Sequence, residues 1–141
     1  EFGADLVMNP KNEDVVAKIK DLTGGYGCDI YIEAAGHPAS VGQGLECIRK
    51  LGRFVEFSVF GHLVTVDWSI ISDRKELDVL GVHLSPYCYD TVIEWIAEGK
   101  LPTNGVVTTK LPLEEWEEGF RLARTGENGT MKVVLVPGMT R

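Results

Sequence analysis

The sequence predicts an α/β fold built around a mostly parallel sheet. Apolar, β-branched runs alternate with stretches whose apolar residues recur at helical spacing. Glycine or Asn-Pro punctuation falls at the junctions between them. The alternation repeats several times, which strings βαβ units together.

The first run, Asp5-Leu-Val-Met8, closes at Asn9-Pro10 and is expected to be a short buried strand. Asn12 then offers a helix cap, with Glu13 and Asp14 in the first turn, where the helix dipole favours carboxylates. Val15, Val16, Ile19 and Leu22 share one helical face, and Gly24-Gly25 stops the helix. Asp29-Ile-Tyr-Ile-Glu33 reads as a second strand running into Ala34-Ala35-Gly36. Pro38 suits a first helical turn, and Val41, Leu45, Ile48 and Leu51 keep helical spacing up to Gly52. Arg53-Phe-Val-Glu-Phe57 is the third strand, with Gly61 at its exit. Val64-Thr-Val66 is expected as a short extra strand ahead of one helical turn around residues 69–73. Residues 76–84 form the fourth strand, followed by a helix over residues 89–98 that stops at Gly99.

The pattern then changes. Residues 101–105 are turn-rich, and Val106-Val-Thr-Thr109 reads as a short strand. Pro112 opens a helix with Glu114, Glu115, Glu117 and Glu118 in its N-terminal half and a buried stripe of Leu113, Trp116, Phe120 and Ala123. Residues 126–129 turn the chain, and residues 131–136 are a last strand closed by Pro137-Gly138.

Composition narrows the function. The 141 residues are 44% hydrophobic and 25% charged, as in an ordinary globular domain, and no run approaches a membrane span. Fourteen basic against twenty-one acidic side chains give a net charge of -7. Such a field repels phosphate backbones and anionic lipid, so neither nucleic acid nor membrane is an expected partner. Cys28, Cys47 and Cys88 are too scattered for a disulfide framework, which fits a reducing cytoplasm. The chain begins Glu1-Phe2 rather than with Met and lacks a signal-peptide pattern, and we expect it to be a portion of a longer protein.

The usual chemical motifs are missing. No G-x-G-x-x-G, Walker loop or G-x-S-x-G elbow occurs. Gly24-Gly25-Tyr26-Gly27 lies between a helix and a strand, the wrong order for a phosphate loop, so it reads as a helix stop and turn. The cysteines and His37, His62 and His83 have no zinc-ligand spacing. What remains are the strand ends, where open α/β sheets bind ligands. Ala34–Gly36, Phe57–Val59 and Val82–Leu84 occupy them. Small residues there either admit a flat ligand to the backbone or simply allow close strand-to-helix packing.

The segments GADLVMNP, DLTGGYGCDIYIEAAG, GLECIRKLGRFVEFS, DRKELDVLGVHLSP, WIAEGKL and PLEEWEEGFRLARTGENGTMKVVLVP occur in that order. Together they resemble the C-terminal portion of the zinc-dependent medium-chain alcohol and polyol dehydrogenases, in the sorbitol, erythritol/threitol and threonine dehydrogenase branch. The resemblance implies residues 1–85 as a partial Rossmann domain, strands 3 to 6, and residues 86–141 as the interdomain helix and the C-terminal return into the catalytic domain. It further implies hydride transfer between a nicotinamide cofactor and an alcohol or polyol, with NAD or NADP as cofactor. Zinc in the whole enzyme would be bound by residues outside this chain. No residue here is expected to be catalytic or to ligate metal, and the isolated piece is expected to be inactive.

Carried over by position, the resemblance implies that Ala34, Ala35 and Gly36 line the adenosine and ribose side of the cofactor cleft. Phe57, Ser58 and Val59 would lie beside the nicotinamide, and Val82, His83 and Leu84 would hold its carboxamide through the backbone. Lys132 either approaches the pyrophosphate or is a solvated turn lysine. The family pattern also implies a homodimer or homotetramer, with Val64–Val66 and Leu77–Val82 at the interface. Two other readings stay open: a noncatalytic assembly or nucleotide-binding module, and a zinc-free medium-chain reductase.

If residues 5–8 are Rossmann strand 3, the order 3-2-1-4-5-6 leaves a two-strand gap before strand 4. The segment must then slide next to strand 4, detach, or find another chain, and an open edge favours association.

Overall fold

The computed structural model describes residues 2–84 and 87–140. The chain divides into two units, Glu1–Pro86 and Tyr87–Arg141. The boundary expected between residues 85 and 86 falls outside the described residues. In the first unit, helix α1 (Val15–Leu22) is capped by Asp14, whose Oδ1 accepts the Ala17 N–H at 2.9 Å. Asn12 instead sits in a turn, donating its N–H to the Asn9 carbonyl. Asp14 takes the cap because its backbone is extended there, the conformation a cap requires. The predicted stop holds, with the Gly25 N–H reaching back to the Lys20 carbonyl at 2.7 Å.

Strands β1 (Cys28–Glu33), β2 (Ile48–Glu56) and β3 (Asp78–Gly81) form one parallel sheet in the order β1-β2-β3, with helix α2 (Pro38–Cys47) between the first two in sequence. Leu45 of α2 meets Ile48 and Phe54 of β2 in a buried core, flanked by Tyr31, Val41, Ile70 and Leu77. Gly44 lets α2 rest directly on the Tyr31 ring. That ring stacks on Phe54 at 5.5 Å. Ile30 and Ile32 alternate away from this core and are exposed.

Further expectations for this unit change. Residues 5–8 form no strand and pair with no described residue, and Val7 is 81% exposed. An apolar run becomes a strand only with a ladder partner, and no described residue supplies one. Helix α2 ends at Cys47, not Leu51, because Ile48 turns extended and pairs with Cys28. The register then jumps to Ile30 opposite Arg53, with Leu51 at φ 55° in the offset. Val64–Val66 is not a strand either, and Val64 and Val66 turn toward a cavity beside the core. Finally, β3 is shorter than residues 76–84, because Glu76 (φ 50°) and Leu84 (φ 52°) interrupt the extended backbone at either end. The helical turn predicted around residues 69–73 is a 3₁₀ turn at Trp68–Ile70, capped by Asp67.

The second unit holds helix α3 (Tyr89–Ala97), strands β4 (Thr109–Pro112) and β5 (Val133–Val136), and helix α4 (Trp116–Thr125). The two strands pair in parallel. Strand β4 lies three residues later than the expected 106–109, because Thr108 anchors the start of pairing: its Oγ1 accepts the N–H groups of Met131 and Lys132. Pro112 therefore ends a strand, and Leu113–Glu115 is a 3₁₀ turn before α4. The buried face of α4 is Gly119 and Leu122, whereas Leu113, Trp116, Phe120 and Ala123 are exposed. Gly119 decides this: a side chain there would meet Leu135 of β5 at 3.0 Å, so the bare backbone is what approaches the strand.

Candidate functional site

Parallel register places three strand ends side by side. Glu33 pairs with Glu56, and Glu56 with Gly81. Ala34–Gly36, Phe57–Val59 and Val82–Leu84 therefore leave the same edge of the sheet. The Phe57 N–H reaches the Glu33 carbonyl at 3.0 Å and the Val82 N–H reaches that of Glu56 at 2.9 Å, carrying the ladder one residue past the strands.

Beyond that point the first two segments are stitched together. The Gly36 N–H donates to Ser58 Oγ at 2.9 Å, and Ser58 Oγ donates to the Glu33 carbonyl at 3.3 Å. Gly36 has φ 66°, and a Cβ on it would stand 2.9 Å from the Val59 carbonyl oxygen, so the turn needs glycine on both counts. Ala34 and Ala35 are exposed and present only methyl groups. Val59 is 93% exposed, and His83 and Leu84 are also exposed. The surface is a shelf across three strand ends, small-residue at Ala34–Gly36 and lined by larger exposed side chains at Phe57, Val59, His83 and Leu84.

Under the shelf lies Glu33, 1% exposed. Its carboxylate accepts the N–H groups of Ala35 (3.0 Å) and Gly36 (3.1 and 3.3 Å) and the hydroxyl of Ser40 in α2. Burial pushes this carboxyl up, but the hydroxyls of Ser40 and Ser58 and the Ala35 and Gly36 N–H groups outweigh it, and the pKa lies below the ordinary value. Glu56, its neighbour on β2, accepts the Ser58 N–H at 2.7 Å. From residue order alone Glu33 is only the last residue of a strand. The available signal is an acidic residue ending a β-branched run, with small residues and a helix-opening serine just after it.

Nine of the ten expected site residues thus gather on one edge in one unit. Lys132 belongs to the other unit, directly before β5, where it is exposed and its carbonyl accepts the N–H groups of Thr108 and Thr109. A cavity of about 580 Å³ adjoins the shelf, walled by Val41, Leu45, Phe54, Trp68 and Val79, with Ser58 and Val59 at its border. Among the described residues no three His, Cys, Asp or Glu side chains come together to hold a metal.

A parallel α/β sheet with its strand ends aligned on one edge is the Rossmann-like arrangement. The chain belongs to the zinc-binding dehydrogenase family, whose family model matches residues 1–98. It is 54% identical over 135 residues to the erythritol/L-threitol dehydrogenase of Mycolicibacterium smegmatis, covering 96% of this chain and 37% of that protein. The crystal structure of 2R,3R-butanediol dehydrogenase from Bacillus subtilis superposes with TM-score 0.81 at 28% identity, covering 96% of this chain and 39% of that one. A short chain alcohol dehydrogenase from E. coli CFT073, complexed with cofactor NADH, matches with TM-score 0.82 at 20% identity over 95% of this chain and 39% of that one. The chain spans about two fifths of the length of these relatives.

Proposed function

We propose that this chain is the cofactor-positioning portion of an NAD-dependent dehydrogenase acting on a small polyol. The observation that carries the reading is the shelf of three aligned strand ends in a chain of this family. The small floor at Ala34, Ala35 and Gly36 suits the flat adenosine side of a dinucleotide. Phe57–Val59 and Val82–Leu84 suit the nicotinamide side, where backbone groups orient a carboxamide. NADH bound to a protein of like fold supports the choice of cofactor, and the 54% identity to an erythritol/L-threitol dehydrogenase supports a polyol as substrate.

When bound, the nicotinamide supplies the hydride acceptor and zinc supplies a Lewis acid for the alcohol oxygen. This chain's part is to bind, orient and separate the two ends of the dinucleotide. The zinc ligands of the whole protein are expected outside this chain, as the family resemblance implies. An assembly of two or four copies in the cytoplasm fits the same reading.

The protein as its gene encodes it is expected to bind NADH and to reduce NAD with erythritol or threitol, followed at 340 nm. The isolated 141 residues are expected to do neither, since they carry no glycine-rich phosphate loop. Micromolar binding of NADH by the isolated chain would contradict this division of labour. No NADH binding by the whole protein would end the reading.

A further inference from the structure

Glu33 lies beneath the shelf and presents nothing at its surface, so the dinucleotide reading leaves it without a role. A carboxylate 1% exposed is costly to bury and needs compensation. What compensates it here is a set of neutral donors, and two of them are the N–H groups of Ala35 and Gly36. We propose that Glu33 is a positioning residue for dinucleotide binding: its carboxylate sets the path of residues 34–36 and, through the Gly36–Ser58 bridge, the spacing between the ends of β1 and β2. The inference rests on the reading that this shelf holds the dinucleotide.

Geometry supports the assignment. Gly36 at φ 66° permits the turn but does not specify it, because glycine visits many conformations at similar cost. An ionised carboxylate is acceptor-only, with room for about four donors on two oxygens. It therefore takes both N–H groups and the Ser40 hydroxyl at once and leaves one arrangement of the loop. The substitution Glu33→Gln would turn one acceptor into a donor facing another donor. Ser40, in the first turn of α2, gives its single hydroxyl proton to the carboxylate, with the His37 carbonyl a neighbouring acceptor 2.6 Å away, so helix, loop and both strand ends share one hub. A departure from the rule against buried charge is expected at functional or strained sites.

The test uses the whole protein and NADH, with affinity read by fluorescence and KM and kcat from turnover. Glu33→Gln is expected to weaken NADH about tenfold or more, as loss of a charge-assisted hydrogen bond does. KM for the dinucleotide should rise in step while kcat holds, the mark of lost positioning in binding alone. Ser40→Ala, a milder change, should weaken NADH severalfold, and it decides the matter if Glu33→Gln does not fold. Ile48→Val, in the core at the far end of β2, is the destabilised control and should leave affinity unchanged. Wild-type affinity in both Glu33→Gln and Ser40→Ala would overturn the proposal, as would an equal loss in Ile48→Val. A wild-type protein that binds no NADH would sink the reading of the shelf and this inference with it. Normal wild-type binding with unaffected variants would sink the inference alone.

Discussion

Lys75 offers a quantitative test of how the sheet unit is held. Its ammonium donates to the carbonyls of Leu45 at 2.5 Å and Ile48 at 2.7 Å, with a longer contact to Glu46 at 3.3 Å. These are the carbonyls at the end of α2 and the start of β2, which the helix itself cannot satisfy. Each short bond from a cation contributes roughly 1.5 kcal/mol, and a positive charge at a helix C-terminus adds about 0.5 kcal/mol. Burial of the ammonium, which pushes its pKa below the ordinary lysine value, offsets part of that sum. Lys75→Met keeps the apolar stem and removes the donors, so the expected net loss is about 2 kcal/mol. In urea unfolding followed by circular dichroism, that loss lowers the midpoint by about 1 M. The Leu51 N–H to Lys75 carbonyl bond survives the change, so the loss belongs to the ammonium alone. A variant as stable as the wild type would show that desolvation cancels the cap and would refute the reasoning.

Two further outcomes follow from the same packing. Gly44→Ala pushes a methyl into the Tyr31 ring, which is held by Phe54 and by its hydroxyl's bond to the Ser40 carbonyl. The clash should cost about 1–3 kcal/mol despite better helix propensity, and an unchanged urea midpoint would contradict it. The second concerns acid. Because the folded pKa of Glu33 lies below its ordinary value, the unfolded chain binds more protons, so stability rises with pH through that range. Its contribution is fully present above the ordinary carboxylate pKa and is lost as pH falls through the folded value. Unfolding free energies measured from neutral pH downward should therefore fall less steeply for Glu33→Gln than for the wild type. A steeper fall in the variant would reverse the sign and reject the assignment.

Much of this was legible from residue order. The runs at Asp29–Glu33 and Arg53–Phe57 and the helix opening at Pro38 carry short-range patterns, and they reappear as β1, β2 and α2 within a few residues. The segments expected after the strands, residues 34–36, 57–59 and 82–84, leave one edge of the sheet together. What failed depended on partners. Residues 5–8 have a strand's composition but no ladder, Val64–Val66 filled a cavity wall instead of a sheet, and α4 turned its glycine rather than its aromatics toward β5.

The sequence by itself determined the alternation of strand and helix and, through the order of its segments, the dehydrogenase family. Both are written in local periodicity and in motif order. Only the tertiary structure decided where α2 stops and what surrounds Glu33. The lysine that caps α2 lies 27 to 30 residues from the carbonyls it serves. The donors around Glu33 become a hub only once the sheet, α2 and Ser58 close over it and exclude water. Burial and long-range hydrogen bonds have no period along a chain, so they appear only when the chain is folded.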